Sequence, residues 1–160
     1  MKTLKDLFEH QIKDLYSAES QLIKAIPEMV ENSNHKKLKE SFESHLEETK
    51  EHKERLVKIC DELGIKPSGE ECKAMKGLIE EAKSFLDEDA ETDVRDAGII
   101  AEAQRIEHYE ISGYGTAVRY AKELGLSNIA RVLQKTLDEE YNADQTLDDL
   151  AIAKINAEAK

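Results

Sequence analysis

The chain has no tryptophan, only two prolines and seven glycines, and aromatic residues make up just 5% of it. So few turn formers argue against a fold of many short strands. No segment has the period-two alternation of a strand either. No apolar run approaches the ~20 residues of a membrane span, and no basic apolar leader opens the chain, so the expected location is the cytoplasm. Two cysteines, Cys60 and Cys72, are too few for a disulfide scaffold and read as free thiols in a reducing compartment. Basic charge is also short: 23 Lys and Arg against 35 Asp and Glu leave a net charge of -12. That field repels nucleic-acid backbones and anionic membranes.

What is abundant is charge of both signs, 36% of 160 residues, mixed with Ala, Leu, Glu and Lys. That is the composition of long helices, in a chain long enough for a single domain over residues 1–160 with a real core. Punctuation divides it into five helical stretches. The first runs from about Leu4 to Asn32, with Pro27 able to kink it late, and ends at the turn cluster Asn32-Ser33-Asn34. The second runs from about Lys36 to Leu63 and stops at Gly64. A loop with Pro67-Ser68-Gly69 precedes a shorter helix over about Glu71 to Asp87. The third long helix spans about Asp93 to Leu124 and ends at Gly125; Ser127 then caps a fourth, over about Asn128 to Asn156.

Short turns make the first pair and the last pair of long helices antiparallel neighbours. The link of about thirty residues between the pairs can travel the length of a bundle. One long crossover predicts an all-α, ferritin-like four-helix bundle, with the short fifth helix inside the crossover.

The apolar stripe of each long helix breaks at one level. Leu4, Phe8, Leu15, Leu22, Ile26 and Met29 step along the first helix at threes and fours, with Glu19 on the stripe between Leu15 and Leu22. The second has Leu38, Phe42, Leu56, Ile59 and Leu63, interrupted by His45, Glu48 or Thr49, and His52. The third has Ala97, Ile100, Ile111, Val118 and Ala121, with Gln104 and Glu107 in the gap. The fourth has Ile129, Leu133, Leu147 and Leu150 or Ala151, with Glu140 in the gap.

Heights agree too. Glu19 and Glu48 lie about equally far from the first turn, and Glu140 and Glu110 from the second, with Glu107 one turn further. Four buried carboxylates at one level need compensating charge, which two divalent cations supply. Oxygen donors with one or two imidazoles suit iron or manganese. The pattern departs from the usual Glu-x-x-His pairs: Glu48 with His52 and Glu140 with Asp144 are four residues apart, and Glu107 with Glu110 is a Glu-x-x-Glu. His45 reads as a core or neighbouring histidine, Gln104 as a donor to a ligand, and His108 as a surface residue.

Five segments carry a family likeness: Asp14 to Leu22, Ser44 to Leu56, Cys72 to Leu78, Ala101 to Thr116 and Thr136 to Leu147. In order and over nearly the whole chain they resemble the YciE/YciF-type proteins, a ferritin-like family of bacterial stress-associated proteins related to rubrerythrins. The resemblance implies metal ligands at Glu19, Glu48, Glu107 and Glu140, with Glu110 and Asp144 as additional candidates. His52 stands where the family often has Gln, and is a ligand or a neighbour. A homodimer and two iron ions, or manganese, follow as expectations. With no four-cysteine module in the chain, any electron donor is a separate molecule. Three functions stay open: a di-metal oxidoreductase acting on peroxide or oxygen, iron handling without catalysis, and a stress-linked interaction protein.

Overall fold

In the computed structural model, which describes residues 1–160, the long helices are α1 (Leu4–Asn32), α2 (Lys36–Leu63), α4 (Thr92–Glu123) and α5 (Ser127–Leu150). The crossover from α2 to α4 contains α3 (Lys73–Leu86). Thr3 opens α1 with a reciprocal capping box to Asp6, and α1 continues through Pro27. Gly64 and Gly125, at φ 68° and 72°, take the left-handed conformation that ends α2 and turns the chain from α4 into α5. Ser127 is the first residue of α5 rather than its cap; Leu126 precedes it and offers no side-chain oxygen.

The four long helices form a square in which α1 packs on α2 and α4, and α5 packs on α4 and α2. Its connectivity is pinned at one end. Asp96, near the start of α4 and 2% exposed, accepts the backbone N–H groups of Asn34 and His35, each at 2.7 Å. Helices α2 and α4 therefore begin at the same end, which is the single-crossover arrangement the link length predicts.

The core comes in two pieces. One packs Leu22, Ile26, Met29, Leu38, Phe42, Ile99 and Ile106 with residues of α3 and the C-terminus. The other packs Phe8, Ile12, Leu15, Leu56, Tyr114, Val118, Ile129 and Leu133. A polar level separates the two. Helix α3 covers α4 closely: a Cβ on Gly98 would lie 1.9 Å from the Phe85 ring. Gly113 similarly admits Leu15 of α1 at close range.

The fourth long helix does not run unbroken to Asn156. It passes at Ala151–Ile155 into a π-helical turn, followed by a last turn, α6 (Asn156–Glu158). The buried residues here, Leu147, Ala151 and Ile155, are spaced by four with no step of three. An α-helix rotates such a series off its face, whereas a wider turn keeps it against α4.

Candidate metal centre

The level between the two apolar pieces is built from six side chains. α1 contributes Glu19, α2 His45 and His52, α4 Glu107 and Glu110, and α5 Glu140. Each interrupts its helix's inward stripe, so the packing that buries the leucines above and below buries these groups too. Glu19, Glu110 and Glu140 are wholly enclosed, and His45, the most accessible of the six, is only 7% exposed. Their donor atoms form two groupings, each within 4.8 Å, that could hold a metal ion: His45, Glu107, Glu110 and Glu140, and Glu19, His52 and Glu140. Glu140 belongs to both.

These groups meet as ion pairs without completing one another's hydrogen bonds. His45 Nε2 lies 3.3 Å from Glu107 Oε1, and His52 Nδ1 lies 2.9 Å from Glu140 Oε1 and 3.6 Å from Glu19 Oε1. None of these approaches is aligned as a hydrogen bond. Both nitrogens of His45, Nδ1 of His52, both oxygens of Glu110 and of Glu140, and one oxygen each of Glu19 and Glu107 have no hydrogen-bond partner. Asp96 marks the contrast, since there the fold completes a buried carboxylate with two backbone donors. A buried polar atom left without any partner costs on the order of 1–3 kcal/mol, and nine atoms in one layer without a hydrogen-bond partner set it apart from the rest of the core.

The electrostatics agree. Burial, and then the neighbouring carboxylates Glu19, Glu140 and Glu107, push Glu110 well above the ordinary range. Burial raises Glu107 to about 8, with His45 opposing and Glu140 adding to it. Burial also raises Glu19, against the pull of His52. Burial disfavours both imidazolium forms, but carboxylates override it. Glu107, with Glu48 and Glu140, brings His45 up to about 9; Glu140 and Glu19 bring His52 up to about 11. Without metal, protons on these groups carry the charge balance.

Three further residues brace the layer. Tyr114, fully buried on α4, donates its hydroxyl to Glu19 and meets the His52 ring edge-on at 6.3 Å between centroids. Glu139 holds the outer nitrogen of His52, Oε2 to Nε2 at 3.0 Å. Arg55 in turn clamps Glu139 and donates to Thr136 at 3.0 Å. A carboxylate behind an imidazole fixes which nitrogen faces the centre.

Of the candidates from the sequence, Glu19, His52, Glu107, Glu110 and Glu140 converge here. Glu48 and Asp144 stand at the margin. Glu48 has a 39% exposed side chain, 3.7 Å from His45 Nδ1, and that histidine holds its carboxyl below the usual range. Asp144 takes a hydrogen bond from Gln104 at 3.0 Å and lies 3.3 Å from His108, whose side chain is 69% exposed. His45, read from sequence as a neighbour, is in the cluster. Its signal was the seven-residue spacing to His52, two helical turns on one face. Glu139 and Arg55 had no sequence signal. Cys60 and Cys72 are free and buried.

Comparison with known proteins places the chain. Residues 3–160 match the family model described as Domain of unknown function (DUF892). The chain is 42% identical over 161 residues to protein YciF of Escherichia coli strain K12, covering 100% of this chain and 97% of that protein. Its fold matches the crystal structure of the E. coli stress protein YciF with a TM-score of 0.93 and 43% identity, over 98% of this chain and 99% of that one. YcfI from Rhodopseudomonas palustris matches with a TM-score of 0.90 and 44% identity, over 92% and 94% of the two chains. With a family model spanning nearly every residue and a relative similar from end to end, this chain belongs to the DUF892, YciF-type family.

Proposed function

We propose that the buried layer binds two divalent metal ions, iron or manganese, and that the protein uses them in a bacterial stress response to reduce peroxide or oxygen. The observation that carries this reading is the set of nine potential ligand atoms, on six buried side chains, that have no hydrogen-bond partner. The donor set fits. Four carboxylates bring four negative charges, two divalent ions bring four positive ones, and neutral imidazoles complete a balanced interior. Glu19 and His52 would hold one ion, His45, Glu107 and Glu110 the other, with Glu140 shared between them. The description of E. coli YciF as a stress protein supports the physiological setting.

Bound there, a redox-active metal pair would supply the two electrons that peroxide reduction consumes, to be restored by an external donor. The protein's own part is enclosure and access. A polar groove lined by Ser44, Glu48 and Asn142 reaches His45. That groove ends at the least enclosed group of the layer, which suits a substrate of a few atoms. Tyr114 and Glu139 keep Glu19 and His52 in place. The working unit in this reading is a homodimer, which sedimentation velocity checks.

The enclosure of all six donors also favours a second reading, a closed structural or iron-holding site without turnover. Peroxide consumption with a chemical reductant separates the two. Metal-loaded protein should turn over repeatedly, and metal-free protein and the Glu140→Ala variant should not. Stable metal binding with no peroxide or oxygen consumption would leave the non-enzymatic reading.

A further inference from the structure

A cleft of about 500 Å³ lies between the C-terminal half of α2 and the first turns of α5. Its rim carries Arg55, Lys58, Arg131 and Lys135, with Glu62 as the one acid. Ile59 and Ile129, only 3% and 1% exposed, close its floor, and Val132, 38% exposed, is the apolar side chain it offers. The volume falls in the range of about 300–1,000 Å³ typical of small-molecule sites.

The charge runs against the rest of the molecule. On a chain of net charge -12, four cations face one carboxylate across a single concavity. Like charges gathered around an apolar floor repel unless an anion joins them. Internal pairing occupies two of the four. Arg55 is committed to Glu139 and Glu51, and Lys135 approaches Glu139 at 3.7 Å. Lys58 has no carboxylate within ion-pair reach, and Arg131 reaches only the side-chain oxygen of Asn128. The cleft also borders the start of α5, where no side chain caps the leading N–H groups, which adds partial positive charge.

We propose that this cleft binds a small organic anion, with an apolar body against Val132 and a phosphate or carboxylate head between Lys58 and Arg131. A nucleic acid is too extended for a positive field confined to one concavity on an acidic surface. The site stands next to the buried layer, because Arg55 lines the cleft and also clamps the Glu139 that holds His52. The proposal is independent of the metal reading.

The test is calorimetric titration of the full-length, metal-free protein with flavin mononucleotide. Riboflavin serves as its uncharged counterpart and inorganic phosphate as a competitor. Saturable binding of flavin mononucleotide, one per chain, is expected. Riboflavin should bind at least tenfold more weakly, and phosphate should compete. Lys58→Glu/Arg131→Glu and, separately, Val132→Asp should each weaken binding at least tenfold. Both changes lie on the surface, so the melting temperature and the metal content after reconstitution should stay at wild-type values; that separates failure here from failure of the metal reading. Equal affinity for the two flavins, unchanged binding by the double variant, or no saturable binding would overturn the proposal. So would flavin binding only as an assembly of several chains dissociates, since a second copy would then be the occupant.

Discussion

Replacing Glu110 with leucine should make the metal-free protein more stable and the metal-loaded protein less so. Glu110 is wholly buried, neither of its oxygens has a hydrogen-bond partner, and burial with three neighbouring glutamates drives its carboxyl toward the neutral form. Leucine has a similar volume and nothing to satisfy. Removing one unsatisfied buried polar group is worth about 1–3 kcal/mol. In a domain of this size about 2 kcal/mol corresponds to a rise in Tm of roughly 4–8 °C. With metal the sign reverses. An ion at a hundred times its Kd stabilises the native state by about 2.7 kcal/mol per site, or roughly 5 kcal/mol for two. Glu110 belongs to one of the two groupings, so the variant should forfeit about half of that gain. Scanning calorimetry of both proteins, in chelator and with manganese(II), reads all four states. A lower Tm for the chelated variant, or an undiminished shift with manganese, would refute the reasoning.

Three further outcomes follow from the same geometry. Glu139→Ala should weaken manganese affinity by about 10–100-fold by releasing His52, whereas Glu48→Ala should cost much less; competition titration with a metal indicator ranks them. In the metal-free protein Glu107, His45 and His52 rise from 4.5, 6.5 and 6.5 to about 8, 9 and 11, so the native state binds more protons than the unfolded state. Their stabilisation is therefore complete below the unfolded values and lost as pH climbs through the folded ones. The metal-free Tm should fall from pH 6 to 9 while manganese affinity rises over the same interval, and a flat Tm would contradict it. Gly98→Ala drives a methyl group into the Phe85 ring, and even after the ~1 kcal/mol helix-propensity gain it should cost about 1–2 kcal/mol in denaturant unfolding.

Much of this fold is written in local signals. Gly64 and Gly125 end their helices where the sequence says they should, because a left-handed residue is cheapest as glycine. The crossover follows from link length alone, and the polar level from one carboxylate per stripe on α1, α4 and α5. The sequence was least informative on α2. His45 and His52 point within about 20° of each other around the helix axis, whereas Glu48 is turned by about 40–60°. A stripe reading that admits either member of an i, i+3/i+4 pair cannot separate such neighbours; packing does, by leaving Glu48 at the rim. Arg55 and Glu139 escaped because they meet across 84 residues of chain, and a surface-looking ion pair gives no periodic signal. The π-helical turn was hidden because steps of four also occur in an ordinary α-helix.

The most direct test of the central claim is metal content. Untagged wild-type protein reconstituted with iron(II) or manganese(II) and freed of excess ions should carry about two ions per chain by elemental analysis. Glu140→Ala, which removes the residue common to both groupings, should lose both while remaining helical. A fully folded wild-type chain that takes up no metal, or a Glu140→Ala variant that keeps the full complement, would contradict a di-metal centre at this layer.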